Sequence, residues 1–222
     1  MNKFIRNGSG ISLPWALIRS AYYLVFLPCA IFFAAVTLIV FLGTSVRHEI
    51  YPSDYFLLAM LWIFIIFPLG FRYVSIKLRH KKLLHIVDFL KSDKRFNPKA
   101  NLEVFSAAKG KYLGIDNKRG TILYVHMYRK GVIDVIGMTM NTWTNTELEG
   151  SALRIYTLDP DLPMLSITAP PAVASNLYDT LGAMRHQSYS EPYPDEPWTL
   201  HVARQSKFIE FEHKVVVPQV TA

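Results

Sequence analysis

Cysteine is almost absent: Cys29 stands alone in 222 residues, which excludes an intrachain disulfide, a zinc knuckle and a dithiol redox motif. Catalytic constellations are missing as well. No GxSxG elbow, GxxxxGK[ST] loop or HExxH pair occurs, and no GxGxxG follows a strand pattern, so nothing in the sequence supports an enzyme, a metal or a cofactor site. Asn7-Gly8-Ser9-Gly10 is glycine-rich, but no strand precedes it, as a phosphate loop requires. Charge is missing over two long stretches. No Asp, Glu, Lys, Arg or His lies between Arg19 and Arg47, or from Tyr55 to Phe71. Without an intramembrane Asp or Arg, neither stretch reads as a transport path or proton relay.

The two uncharged runs therefore read as an anchor or a helix–helix interaction surface. Ala21 to Phe41, and Tyr55 to Phe71 with no polar face, are long enough to cross roughly 30 Å of hydrocarbon as helices. Pro28 and Pro68 can kink them, and Cys29, in Leu27-Pro28-Cys29-Ala30, reads as a small packing residue rather than a lipoprotein cleavage site. Lysine and arginine fix the orientation, because cytoplasmic flanks retain positive charge. Lys3, Arg6 and Arg19 precede the first run, and Arg72, Lys77, Arg79, Lys81 and Lys82 follow the second. The intervening loop holds Arg47 against Glu49 and Asp54. Both termini are expected in the cytoplasm, with Trp15, Tyr22, Tyr23, Tyr51 and Tyr55 at the interfaces.

The net charge of +7 is uneven: residues 1–99 carry 13 basic and 4 acidic side chains, residues 100–222 carry 11 and 13. The excess belongs beside the membrane, where each Lys or Arg is worth about 1 kcal/mol against anionic lipid. Arg72, Lys77, Arg79, Lys81 and Lys82 are the expected lipid contacts, and nucleic acid is not an expected partner. Beyond Phe71, Leu83, Val87 and Leu90 share one helical face. Asn97-Pro98 marks a boundary.

From about Phe105 the texture changes to short runs rich in Val, Ile, Thr and Tyr between glycine turns. Lys111 to Asp116 and Gly120 to Met127 predict a hairpin around Asn117-Lys118-Arg119. Val132 to Ile136, a segment around Trp143, Ser151 to Leu158 and Met164 to Thr168 predict further strands. After Pro170-Pro171, Val173, Leu177, Leu181 and Met184 recur at helical spacing. The last 35 residues, with prolines from Gln187 to Trp198, read as a tail, with Phe208 to Val217 an extra strand or a docking segment.

The expected layout is a cytoplasmic segment 1–20, a transmembrane helix 21–43, an external loop 44–54 and a second transmembrane helix 55–73. A basic juxtamembrane helix and linker 74–103, a β-rich domain 104–187 and a tail 188–222 follow. The fold class is a two-helix transmembrane hairpin plus an α+β cytoplasmic domain, an antiparallel sheet or barrel of five to seven strands closed by a C-terminal helix. Gly114-Ile115-Asp116 through Val125, Trp143, Leu153-Arg154-Ile155-Tyr156 and the closing helix resemble the pleckstrin-homology-like fold.

Histidines give no metal motif: His80 and His85 sit in the basic helix, and His201 and His213 lack an acidic partner at ligand spacing. Glu147 and Glu149 share one side of a strand and read as solvated carboxylates. Lys118, Arg119, Arg129 and Lys130 occupy two turns of the kind that phosphoinositide-binding domains of the resembling fold use for headgroups. Tyr124, Tyr128, Trp143 and Tyr156 are the candidate anchors for a protein partner if exposed.

The whole-chain plan, with apolar blocks Ala21 to Phe41 and Tyr55 to Phe71 and a domain beginning near Lys111, resembles the entry-exclusion proteins of IncI-type conjugative plasmids. That resemblance implies a bacterial inner-membrane protein that recognises an inner-membrane component of the cognate transfer apparatus and blocks redundant DNA uptake without catalysis. A membrane-tethered lipid-binding or adaptor module, or an accessory subunit of a secretion or transport complex, are the alternatives.

Overall fold

The computed structural model describes residues 17–18, 20–44, 52–129, 131–189 and 196–218. Lys3, Arg6, Trp15, Arg19, Arg47, Glu49, Tyr51 and Lys130 lie outside the described residues. Contacts divide the chain into two compact units between Ser75 and Ile76.

In the first unit, Tyr22–Phe26 forms a π-helical turn in which the Leu27 N–H reaches back to the Tyr22 carbonyl. It continues as α1 (Leu27–Thr44). Helix α2 (Pro52–Leu90) starts on a proline, where no backbone N–H is needed, and runs through Pro68 without a break. Most apolar side chains are exposed, among them Leu24, Phe26, Phe32 and Ile39, then Phe56, Phe64, Phe67 and Phe71, while Ala34 and Ile65 are buried. Apolar helix surface left exposed to this extent has the character of a lipid-facing segment. The stretches Tyr22–Ile39 and Leu58–Leu90 have mean hydropathies of 2.2 and 1.8, and both helices are long and apolar enough to cross a membrane. The Tyr22 hydroxyl donates to the Phe64 carbonyl at 3.0 Å, and the Arg72 guanidinium lies 5.2 Å from the Tyr23 ring centre. Thr37 returns its hydroxyl to the Phe33 carbonyl at 2.8 Å, so its polar group is satisfied within its own helix. Gly70 does not interrupt α2, which continues to Leu90.

The second unit is built on seven antiparallel strands. Strands β1 (Glu103–Ser106), β2 (Lys111–Asp116), β3 (Thr121–Arg129) and β4 (Val132–Thr139) form one sheet in sequence order, and β5 (Trp143–Glu149), β6 (Ala152–Thr157) and β7 (Met164–Thr168) form another. Two helices follow, α3 (Pro171–Met184) and α4 (Trp198–His213).

The four-stranded sheet is covered on both faces. Tyr112, Leu123, Val125, Ile133 and Val135 pack with Leu83, Ile86, Val87 and Leu90 of α2 and with Trp198, Val202 and Ile209 of α4. Leu113, Ile115, Ile122, Tyr124, Ile136 and Met138 pack with Leu153, Ile155, Leu165 and Ile167 of the second sheet and with Ala174, Leu177 and Leu181 of α3. Strands buried on both sides lose the apolar–polar alternation, which is why β2 and the start of β3 read as nearly continuous apolar runs. Strand β5 lies further out and exposes Thr144, Asn145 and Glu149. Each fully buried aliphatic side chain in these clusters contributes roughly 1.5–3 kcal/mol relative to exposure.

Three expectations change. The strands divide into four and three and do not close a barrel. A tight turn ends the first sheet, with Thr142 Oγ1 accepting from the Thr139 N–H at 3.1 Å, and β5 opens a new sheet as Trp143 enters the core. Strand formation begins at Glu103, earlier than expected, after a 3₁₀ turn at Ala100–Leu102. The expected strand at Phe208 to Val217 is helical through His213. Pro197 precedes the first turn, and Trp198, Val202 and Ile209 recur at helical spacing toward the sheet. Lys214 then ends the helix at φ 48°, its N–H bonded to the Glu210 carbonyl. Only Val216 keeps strand character, in a parallel bridge to Val132.

Close approach of α4 depends on a missing side chain. A Cβ on Gly137 in β4 would lie 2.6 Å from Val202 Cγ2 and 3.0 Å from Trp198 Nε1, and Trp198 Nε1 donates to the Ile122 carbonyl at 3.0 Å across the same contact. Gly137→Val is expected to destabilise the fold by about 1–3 kcal/mol through overpacking. Gly182→Ala in α3, where a Cβ meets nothing within 4 Å, is expected to stabilise it by up to about 1 kcal/mol. Urea unfolding of the detergent-solubilised protein measures both.

Candidate recognition surface

Asp116, at the end of β2, organises the basic hairpin turn. Its Oδ1 accepts from the Lys118 N–H at 3.0 Å and the Arg119 N–H at 3.3 Å, and its Oδ2 from the Asn97 N–H at 2.9 Å. Arg119 Nη1 donates to Oδ2 at 2.8 Å, while Nε reaches the Lys94 carbonyl at 2.9 Å and Nη2 the Asp93 carbonyl. The Asp116 side chain is 1% exposed, a burial that a carboxylate tolerates only when its lone pairs are occupied. Arg119 thus binds the turn to the segment after α2, and Lys118 is exposed. Arg129 ends β3 beside a register shift, and Lys130 lies outside the described residues.

The aromatic candidates separate into two kinds. Tyr124 is 3% and Trp143 5% exposed, and both belong to the core. The Tyr124 hydroxyl donates to the Ser166 carbonyl at 3.3 Å, and burial, aided by the Asp134 charge, raises its pKa. The Arg185 guanidinium covers Trp143 at 4.6 Å from the ring centre and donates to the Thr144 carbonyl. Tyr128 and Tyr156 are half-buried and offer ring surface to solvent.

Tyr156 belongs to a charged cluster on the outer face of β5 and β6. Arg154 stands opposite Glu147 in the strand register, with Nη1 3.3 Å from Glu147 Oε2, and its Nη2 meets Glu149. The Tyr156 hydroxyl donates to the same Glu147 oxygen at 2.8 Å. The hydrogen bonds from Tyr156 and Arg154 hold the Glu147 carboxyl below the usual carboxylate range, and its acceptance raises the Tyr156 phenol. The two glutamates therefore serve one arginine. The result is a solvent-facing plate of fixed charge beside an aromatic ring.

An apolar cavity of about 450 Å³ opens between β4, the turn at Asn141-Thr142, the β6–β7 loop and α4. Leu158 and Leu200 in its lining are exposed. Asp159 also lines it, and its Oδ2 is buried without a hydrogen-bond partner among the described residues.

The sequence pattern missed two groupings because each joins elements distant along the chain. Glu196 accepts from Arg204 at 2.7 Å, from Arg95 at 3.3 Å and meets His201 Nδ1 at 3.0 Å, tying the segment after α2 to the start of α4. His85 of α2 meets Glu212 and His213 of α4, so His213 has acidic and imidazole neighbours. The basic residues Arg72, Lys77, Arg79 and Lys81 are exposed on α2, and Lys82 is half-buried.

Two long apolar helices precede a domain of two antiparallel sheets and two further helices. The family model described as exclusion-determining protein matches residues 9–221, across both units, and the chain belongs to that family. Membership supports plasmid entry exclusion as the general function. No curated protein and no solved structure matches the chain.

Removing Arg119 leaves a buried carboxylate short of a donor, so Arg119→Ala is expected to destabilise the domain by about 1–3 kcal/mol, against less than about 0.5 kcal/mol for the exposed Lys118→Ala. A difference in urea midpoints checks this. His126, which pairs with Lys111 on β2 and Asp134 on β4, has its pKa pushed down to about 4 by burial and by Lys111. Between pH 6.5 and about 4 the unfolded imidazole binds a proton that the folded one does not, so stability falls as pH falls through that window. His126→Gln is expected to flatten the pH profile of unfolding there.

Proposed function

We propose that this chain is a bacterial inner-membrane protein with two spans and both termini in the cytoplasm. It excludes entering plasmids by binding an inner-membrane component of the cognate conjugation machinery. The observation that carries the reading is the family match over residues 9–221, which includes the apolar helices and the whole described domain. Helices whose apolar residues are mostly exposed support the spans, and the flanking Lys and Arg residues support the orientation. Arg72, Lys77, Arg79, Lys81 and Lys82 hold anionic headgroups beside the second span. The antiparallel strands followed by a helix support a pleckstrin-homology-like fold for the domain.

Recognition of a protein partner needs a surface rather than a catalytic cleft, and no reaction is assigned to this chain. Of the four aromatic candidates, Tyr156 and Tyr128 have ring surface available, whereas Tyr124 and Trp143 hold the core. Tyr156 with Arg154 and Glu147 is the favoured contact, because ordered charge beside an aromatic ring is the composition of interface anchors. The rival headgroup reading of Lys118, Arg119, Arg129 and Lys130 is weakened by the commitment of Arg119 to Asp116 and two carbonyls.

Mating frequency tests the reading. Recipients expressing the protein are expected to depress transfer from a donor carrying an IncI-type plasmid and not from a donor carrying an unrelated one. Arg154→Ala with Tyr156→Ala is expected to restore cognate transfer by about tenfold or more, the effect of losing an interface anchor. Charge reversal at Lys118, Arg129 and Lys130 is expected to leave exclusion unchanged. Equal transfer from both donors, with the protein in the membrane, contradicts the proposal.

A further inference from the structure

The contact between the end of α2 and the end of α4 has the composition and spacing of a transition-metal site. His85 lies on the outer side of α2, next to residues whose neighbours Leu83 and Ile86 are fully buried. Glu212 and His213 close α4. One ligand atom from each of the three residues falls within 4.8 Å of the other two. His85 Nε2 is 3.7 Å from Glu212 Oε1, and the two imidazole rings stand 5.2 Å apart at 85°.

We propose that His85, Glu212 and His213 bind a single Zn²⁺ ion that clips α4 to α2. Zinc takes imidazole nitrogen and carboxylate oxygen at about 2.0–2.2 Å in a tetrahedron, which sets its donors about 3.3–3.5 Å apart. The 3.7 Å pair is close to that spacing. The remaining adjustment falls on side-chain torsions, which are free to move because the His85 and Glu212 side chains are 57% and 50% exposed. Two imidazoles with one carboxylate suit zinc and its first-row neighbours better than calcium or magnesium, which prefer all-oxygen shells. Glu212 supplies a negative charge, and the carbonyl end of α4 adds the negative pole of the helix dipole. These offset the repulsion from Lys82, one turn before His85 on α2. Water completes the fourth position.

The site has a structural consequence distinct from exclusion itself. Helix α4 covers one face of the four-stranded sheet, and its last turn carries two of the three ligands. Bound zinc therefore joins residues 85 and 213 across that cover and resists its opening, because a ligand that binds only the closed arrangement stabilises it.

Isothermal titration of Zn²⁺ into the untagged, chelator-stripped full chain in detergent tests the assignment. One ion per chain is expected, with affinity falling at least about tenfold in His85→Ala and in His213→Ala, on the scale of losses seen even for groups that merely support a ligand. His80→Ala and His186→Ala are expected to bind as the wild type does. Glu212→Gln, which keeps size while removing charge, is expected to weaken binding even if an alanine variant fails to fold. Amide exchange in residues 205–213 is expected to slow when Zn²⁺ is added to the wild type and not to His85→Ala. The absence of saturable one-to-one binding, or affinity unchanged in His85→Ala, His213→Ala and Glu212→Gln, overturns the proposal.

Discussion

The second unit depends on one constraint: a four-stranded sheet whose two faces are both apolar must be covered twice. Side chains alternate across a strand, so Leu123 and Val125 look one way while Ile122 and Tyr124 look the other, and all four are buried. The second sheet and α3 cover one side, and the chain reaches them by continuing directly from β4. The other cover comes from segments on either side of the strands in sequence, the last turns of α2 and the inward side of α4. Residues 83–90 and 198–217 are therefore as much part of the fold as the strands between them.

That arrangement explains where the polar groups are spent. Asp116 with Arg119, Glu103 with Lys91 and Tyr112, and Glu196 with Arg95, His201 and Arg204 each join the segment around the end of α2 to the sheet or to α4. Isolated ion pairs at a surface contribute little, but these hold covering elements in register, and Asp116 is buried enough that leaving it unpaired is costly. Basic residues that look available in the sequence are thereby partly withdrawn from ligand binding. On the β5–β6 face, around Arg154, charge is left facing solvent with an aromatic ring beside it.

Much of the fold was legible locally. The glycine turns and β-branched runs marked six of the seven strands to within a few residues, and the spacing of Val173, Leu177, Leu181 and Met184 marked α3. Strand β1 is four residues long and follows a proline-containing linker, so it carried too little pattern to register. Helix α4 was obscured because Leu200, Phe208 and Phe211 are apolar on its exposed side while Ser206 interrupts its buried side, which blurs a helical period into a strand-like run. Tyr124 and Trp143 look like any aromatic strand residue until the packing shows that they face the core. The resemblance to entry-exclusion proteins rested on the whole-chain plan, and the family match over residues 9–221 supports it, whereas no short motif announced it.

The double cover is tested most directly by native-state hydrogen exchange of the full chain in detergent, reading α4 against the central strands. If α4 is an integral face of the sheet, the amides of Val202 to Ile209 open with a free energy close to that of Leu123 to Val125, as members of one cooperative unit do. Exchange of α4 as fast as an unstructured tail, with β2 and β3 still protected, would show that the sheet is stable without its second cover and would contradict the account.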